Sequence, residues 1–88
     1  EQPDLKTFRN LQFAFDALER GGNMACIVNA ANEVAVAAFL QDKVGFLQMS
    51  DLIETCMNTV AFIQQPTLDD YIETDTETRR VAESLLSK

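Results

Sequence analysis

Residues 29–40 read NAANEVAVAAFL and carry the clearest structural signal in this 88-residue chain. The stretch is rich in alanine, which propagates an α-helix better than any other residue. Asn29, Asn32 and Glu33 are spaced i, i+3 and i+4, so a continuous helix places them on one face, while Val34 and Ala38 supply an apolar face. The pattern predicts a helix with a polar stripe whose amides and carboxylate need hydrogen-bonding partners.

The helix that contains this stretch is predicted to begin at Asn23 or Met24 and to run to about Gln41. Asn29 weakens the helical propensity, because an asparagine side chain competes for nearby backbone groups. It would serve equally well as an N-cap. The prediction therefore allows a break or kink near Asn29.

A first helix is predicted upstream, with Thr7 as its N-cap and the permissive pair Gly21-Gly22 as its end. Its inner face is expected to hold the large residues at spacings of three and four, which are Phe8, Leu11, Phe15 and Leu18. Phe13 falls off this stripe and is expected to face a neighbouring domain. Replacement of Phe15 or Phe39 by alanine is expected to cost roughly 3 to 5 kcal/mol of stability.

A third helix is predicted after a connection from Lys43 to Leu47, in which Gly45 makes the turn. Ser50 is a suitable N-cap for it. Its expected inner face consists of Leu52, Ile53, Cys56 and Val60. The helix must end before Pro66, because proline lacks an N–H donor and disfavours helical geometry in the residue before it.

The C-terminal segment is predicted to open with a short helical turn from Thr67 to Asp70 that carries Tyr71 and Ile72. Thr74 and Glu77 then match a capping box, in which two side chains reciprocally satisfy free amides at the start of a helix. The last helix would bury Val81, Ala82, Leu85 and Leu86.

These segments bury their apolar faces most simply against one another. The predicted fold is therefore all-α: a small, mostly up-and-down bundle of four main helices plus one short helical turn, forming one domain over residues 1–88. A chain of this length buries only about 60 to 65% of the surface that it exposes when unfolded. It has room for one modest core and none for a separate catalytic domain.

The composition excludes several classes of function. The net charge is −7 and no block of Lys or Arg is present, so nucleic acid and membranes are not expected partners. Histidine is absent, which removes the usual general base and the commonest metal ligand. Cys26 and Cys56 stand far apart among apolar neighbours and are expected to be buried, reduced thiols, which indicates a cytoplasmic location.

Acidic residues cluster toward the C-terminus, at Asp69, Asp70, Glu73, Asp75 and Glu77. Their spacing does not match a calcium-binding loop, and a solvated face near helix N-termini explains them. Gly21-Gly22 follow a helix instead of opening one after a strand, so they do not form a phosphate loop. The six phenylalanines are expected to form core rather than a ligand pocket.

The chain also resembles a known family, the 1-deoxy-D-xylulose 5-phosphate reductoisomerases, in their C-terminal helical domain. The run NAANEVAVAAFL carries most of the resemblance, which extends over nearly the whole chain. Supporting matches are Pro3-Asp4, Thr7-Phe8, Leu11, Ala14, Ala17-Leu18, Gly21-Gly22, Val44-Gly45-Phe46, Leu68-Asp69-Asp70 and the segment from Asp75 to Arg79. One departure is Arg9-Asn10, where the family often has Pro-Cys. The chain opens on Glu1 rather than Met, which fits a piece of a longer protein.

This resemblance implies a three-part, homodimeric parent enzyme of the non-mevalonate isoprenoid pathway. Such enzymes bind NADPH on an N-terminal domain and a divalent cation (Mn, Mg or Co) through acidic residues of a central domain. They rearrange and reduce 1-deoxy-D-xylulose 5-phosphate to 2-C-methyl-D-erythritol 4-phosphate. None of the family's catalytic, cofactor-binding or metal-binding residues matches a position in this chain. The resemblance thus implies a non-catalytic scaffold that packs on the remaining domains of the same polypeptide.

Within that scaffold, Asn29, Asn32 and Glu33 are predicted to brace the contact with another domain or the loops of the bundle itself. The alternative for this stripe is a local cap and a solvated face. For the chain as a whole, the alternative is a free-standing acidic helical adaptor that binds a protein partner through an apolar groove. An autonomous metal-binding bundle would need carboxylates that converge from facing helices, and no metal binding is expected.

Overall fold

Four α-helices form the part of the chain that the computed structural model describes, which comprises residues 5–87 and the side chains of residues 9–87. They are α1 (Leu5–Arg20), α2 (Met24–Leu40), α3 (Phe46–Thr59) and α4 (Leu68–Leu86), and no strand occurs in that range. The all-α prediction is confirmed. None of these helices is both long and apolar enough to cross a bilayer.

Helix α2 lies at the centre and packs against all three other helices. Its inward face combines large side chains with small ones, and Met24, Ile27, Ala31 and Ala35 are fully buried. Alanine on this face lets the neighbouring backbones approach closely, and its high helix propensity supports the same conformation. Helix α2 is continuous through Asn29, so the predicted kink there is wrong. Packing on three sides outweighs the weak local preference of one asparagine.

Helix α1 differs most from its prediction. It already includes Thr7, so the N-cap predicted there is wrong, and the buried residues among its described side chains are Phe13 and Ala17. Leu11, Phe15 and Leu18 are instead 49%, 57% and 75% exposed. Phe13 therefore belongs to the core, and Phe15→Ala is not expected to unfold the domain. The side chain of Phe8 lies outside the described ones.

Polar anchors explain this orientation of α1. Arg9 forms ion pairs with Asp51 and Glu54 of α3, both at 2.9 Å, and its guanidinium lies 5.7 Å from the centre of the Phe13 ring. Asn10 accepts a hydrogen bond of 2.9 Å from the Ser50 hydroxyl. Arg9 and Asn10 can reach α3 only when the Phe13 side of α1 faces the bundle. Arg9 and Asn10 thus add polar contacts to the apolar packing of Phe13 and Ala17.

Helix α3 begins one turn earlier than predicted. Gly45 is its N-cap, and the Gly45 amide donates to the side-chain oxygen of Gln48 at 2.7 Å. Ser50 lies inside the helix and is buried, so the predicted cap there is wrong. The predicted inner face is confirmed, since Leu52, Ile53, Cys56 and Val60 are all buried.

Helix α4 is one continuous helix from Leu68 to Leu86, where a short turn and a separate helix were predicted. Thr67 caps it: its hydroxyl accepts from the Asp70 amide at 3.1 Å, and the Asp70 carboxylate accepts from the Thr67 amide at 2.9 Å. The pattern predicted as a capping box lies mid-helix, and Thr74 is buried there. The first of the two similar patterns begins the helix, directly after Pro66. Helix α3 has already ended at Thr59, before Pro66 as predicted.

Candidate functional site

Asn29, Asn32 and Glu33 share one exposed face of α2, as their spacing predicts. The Asn29 amide donates to the Glu33 carboxylate at 3.4 Å, which is long for a hydrogen bond. The Asn32 side chain makes no hydrogen bond to any part of the chain that the structure describes. Two amides with little or no bonding inside the bundle are therefore directed to its surface.

Glu33 has a different environment, because it connects α2 to α4. Its carboxylate accepts from the Arg79 guanidinium at 2.7 Å, and Arg79 also pairs with Asp75 at 3.0 Å. These two carboxylates, Asp75 foremost, hold the pKa of Arg79 above its usual value. All three side chains are 40 to 54% exposed, so each pair contributes at most about 1 kcal/mol. Glu33 thus makes a weak brace within the bundle.

An apolar groove of about 420 Å³ separates α1 from α2 beside these amides. Ala14 and Leu18 line it from α1, and Val28 lines it from α2. Asn29 and Asn32 supply its polar rim. The sequence analysis missed this groove, because it assigned the Leu11, Phe15 and Leu18 stripe to the core. That stripe would have indicated an exposed apolar surface if it had been recognised as a second apolar face of α1.

Asn23 is a second polar residue that the sequence analysis used only as a helix start. It is fully buried, and its amide donates to the Ala61 carbonyl at 3.0 Å and to the Thr74 hydroxyl at 2.9 Å. Its side-chain oxygen accepts from the Ile63 amide at 2.8 Å. We call these three hydrogen bonds the Asn23 clasp. The clasp holds residues 60–67, the connection between α3 and α4, against the start of α2.

Gly22 lies under the same connection. Its backbone has φ +56°, and a side chain at this position would collide with the Ile63 carbonyl. Glycine is thus required twice, once by the left-handed conformation and once by the close approach. Gly21 also has positive φ, at +69°, but nothing lies near the position that a side chain would occupy. These glycines form a helix connection with no strand before it, which does not fit a dinucleotide-binding loop.

The acidic residues likewise do not fit a metal centre. Within residues 5–87, no group of three or more cysteine, aspartate or glutamate side chains converges. Asp70 caps α4, Asp75 pairs with Arg79, and Glu77 pairs with Arg80, which lowers the pKa of Glu77. No chemical step can be derived for a cation or for NADPH at these positions.

Neither cysteine is suited to act as a nucleophile at neutral pH. Both thiols are free. Cys56 is buried as predicted, whereas Cys26 is only partly buried, so that prediction is wrong for Cys26. Burial raises the pKa of Cys56 to about 11, and burial is also the main cause of the raised pKa of Cys26. The thiolate is the nucleophilic form, so both residues remain protonated and unreactive near pH 7.

Comparison with known proteins identifies the same family along the whole domain. A family model described as the DXP reductoisomerase C-terminal domain matches residues 1–81. The 1-deoxy-D-xylulose 5-phosphate reductoisomerase of Phocaeicola vulgatus is 66% identical over 87 residues, which are 99% of this chain and 23% of that protein. The enzyme of the same name from Bacteroides fragilis is 61% identical over 100% of this chain and 23% of its own length.

A solved structure has the same fold. It is the 1-deoxy-D-xylulose 5-phosphate reductoisomerase from Zymomonas mobilis in complex with NADPH, with a TM-score of 0.82 and 37% identity. The match covers 98% of this chain and 23% of that one. The chain thus spans about a quarter of the length of the relatives that it matches.

Proposed function

We infer a function from one premise: the chain belongs to the family of DXP reductoisomerase C-terminal domains. We propose that it is the helical scaffold domain of a larger, NADPH- and divalent-metal-dependent enzyme. That parent would convert 1-deoxy-D-xylulose 5-phosphate to 2-C-methyl-D-erythritol 4-phosphate in the non-mevalonate isoprenoid pathway. The observation that carries the proposal is the 66% identity to a reductoisomerase over 99% of this chain.

We assign NADPH and the cation (Mn, Mg or Co) to the part of the parent that this chain does not include. The glycine pair and the acidic residues support this division, because their geometry fits neither ligand. The NADPH in the Zymomonas mobilis structure supports a coenzyme in the parent. This chain would contribute a rigid surface that keeps the catalytic parts in position, a role in which small displacements reduce turnover.

We further propose a homodimeric parent in the cytoplasm. Support for the location comes from the two free cysteines, since Cys56 is fully buried and remains a thiol. The dimer rests on the family resemblance. The adaptor alternative loses support, because relatives of more than 60% identity carry this domain within chains about four times its length.

The bracing hypothesis gives different roles to the three polar residues of α2. Glu33 would stabilise the bundle through Arg79, whereas Asn29 and Asn32 would contact the rest of the polypeptide. The test uses the full-length parent, with consumption of NADPH in the presence of substrate and Mn²⁺ as the assay. We expect Asn32→Ala to lower turnover and thermal stability of the parent, and Glu33→Ala to have a smaller effect. The matched control is Asn58→Ala, which removes an exposed asparagine from α3.

Two results would contradict the proposal. A full-length parent that shows no substrate-dependent NADPH consumption would refute the assigned activity. Unchanged turnover, metal affinity and thermal stability in both Asn32→Ala and Glu33→Ala would refute the bracing role alone. Calorimetry on the 88-residue chain with NADPH and with Mn²⁺ gives an independent check, and we expect no heat of binding.

A further inference from the structure

Helix α1 has three distinct faces around its axis. Phe13 and Ala17 face the core. The flank toward α3 is polar and includes Arg9, Asp16 and Glu19. The remaining flank consists of Leu11, Ala14, Phe15 and Leu18, which are spaced i, i+3, i+4 and i+7 and are all exposed. An ordinary surface helix has one apolar face, whereas α1 has two.

Helix α2 continues this surface across the groove. Ala25, Asn29, Asn32 and Val36 follow one another at intervals of four, three and four residues, and all four are exposed. Their stripe carries two amides and no charge. We define the α1–α2 face as the exposed flank of α1, the groove and this stripe of α2. Large contiguous apolar surfaces of this kind, rimmed by polar groups, mark interaction sites in soluble proteins.

We propose that the α1–α2 face is the surface through which this domain docks on another domain of the same polypeptide, an inference that rests on the proposed function. An apolar ridge of that domain would fill the groove. Its backbone or amide groups would pair with Asn29 and Asn32. The part of the occupant that enters the groove must be apolar, because no charged side chain lines the groove to compensate a buried charge. The one carboxylate beside Asn29, that of Glu33, is already paired with Arg79.

The length of the relatives argues for an occupant in the same polypeptide. This domain makes up 23% of the reductoisomerases that it matches, so most of each chain is available to cover the face. The groove rim suits such an occupant, because the exposed Asn32 amide lies there and has no partner in the described part of the chain. A buried amide requires such a partner, so the rim provides specificity while the groove provides apolar contact.

Other large apolar residues are exposed outside the α1–α2 face, and they include Phe46, Phe62 and Tyr71. Leu40 and Leu47 lie near the connection from α2 to α3, and Leu68 and Ile72 lie at the start of α4. The depression beside Ile72 is lined by the carboxylates of Asp70, Glu73 and Glu77. Charge would oppose an apolar occupant there, whereas the α1–α2 groove has no charged lining.

Hydroxyl-radical footprinting of the full-length parent tests the proposal without any mutation. Oxidation rates of Leu11, Phe15 and Leu18 are measured by mass spectrometry in the parent and in the 88-residue chain. We expect these three rates to fall several-fold in the parent, because docking removes the side chains from solvent. Rates in the parent that equal those in the 88-residue chain would overturn the proposal. If oxidation of these residues in the 88-residue chain slows as the protein concentration rises, the face binds a second copy of the chain. That result would also overturn the proposal.

A matched pair of variants gives a second measurement. Leu18 and Leu68 are 75% and 76% exposed, so Leu18→Asp and Leu68→Asp introduce the same charge at equally open positions. Leu18 lies in the last turn of α1 and Leu68 begins α4, so the helix dipole disfavours the first aspartate and favours the second, each by about 1 kcal/mol or less. Each variant of the parent is therefore compared with the same variant of the 88-residue chain. In the parent, Leu18→Asp should lower the melting temperature and restore oxidation of Phe15, while Leu68→Asp should do neither. Equal effects of the two variants would contradict the proposal.

These readouts separate the two levels of inference. Turnover of the parent reports on the proposed function, and side-chain oxidation reports on the docking face. An active parent with freely oxidised Leu11, Phe15 and Leu18 would leave the reductoisomerase assignment standing and refute the docking face. A parent without turnover would refute the assignment whatever its oxidation pattern.

Discussion

Asn23→Ala should destabilise this domain more than any other replacement of an asparagine that the structure describes. The side chain is fully buried, and its removal deletes all three hydrogen bonds of the clasp. Ala61, Ile63 and Thr74 would each lose a partner.

The size of the effect follows from these bonds. A typical intramolecular hydrogen bond contributes about 0.5 to 1.5 kcal/mol, so three of them amount to about 2 to 4 kcal/mol. Domains of 88 residues have a total stability of about 4 to 13 kcal/mol. Since 1 kcal/mol shifts the melting temperature of a domain this size by about 4 to 8 °C, a loss of at least about 8 °C is expected.

Thermal and urea unfolding followed by far-ultraviolet circular dichroism measure this loss. Asn58→Ala is the control, because Asn58 is exposed near the end of α3, and its replacement should change stability by less than about 0.5 kcal/mol. Amide hydrogen exchange adds a local readout, in which the Ile63 amide should lose protection in Asn23→Ala. If Asn23→Ala melts within two or three degrees of Asn58→Ala, the clasp does not hold the connection and the reasoning fails.

Three further predictions concern the core, the glycine pair and a buried thiol. Phe13→Ala should cost about 3 to 5 kcal/mol and Phe15→Ala less than about 1 kcal/mol in urea unfolding, and equal losses would contradict the assignment of core and surface. Gly22→Ala should lower the melting temperature more than Gly21→Ala, because only the former adds a collision to backbone strain; the reverse order would refute the close approach. Because the pKa of Cys56 is raised from 9.0 to about 11 in the folded state, its contribution to stability is complete below pH 9 and is lost as the pH rises toward 11. Urea unfolding at pH 8 and pH 10.5 should show a larger loss of stability in the wild type than in Cys56→Ala, which keeps only the contribution of the raised pKa of Cys26. Equal losses in the two proteins would contradict the prediction.

Helix type and helix number were predictable from this sequence, because they depend on strong local signals. The alanine-rich run of α2 and the stop at Pro66 both correspond to the structure. The inner face of α3 was also predictable, since its apolar residues occupy a single stripe. In each case one local feature had no strong competitor.

Where a helix boundary or an inner face was predicted wrongly, the local sequence contains two patterns that fit equally well. Helix α1 has apolar residues on two faces, and contacts with the other helices select between them: Phe13 is buried in the core, and Arg9 pairs with carboxylates of α3. Helix α4 contains two capping patterns, and the second is overridden because Thr74 is buried against the bundle. Periodicity within one helix carries no information about such contacts between helices.

The candidate site was only partly predictable for the same reason. The spacing of Asn29, Asn32 and Glu33 correctly places them on one exposed face. Their separate environments depend on α4, which supplies Arg79 to Glu33, and on α1, which forms the groove beside Asn32. Asn23 was not identified as a structural residue, since its partners lie 38 to 51 positions away along the chain.

The large sequence separation within the Asn23 clasp has a consequence for folding kinetics. Helical bundles fold fast because most of their contacts are local, whereas the clasp can close only after α2 and α4 have met. Contacts that form after the rate-limiting step leave the folding rate unchanged and slow unfolding. The buried asparagine would therefore act on the lifetime of the native domain, prolonging the interval between spontaneous openings in which a protease could enter.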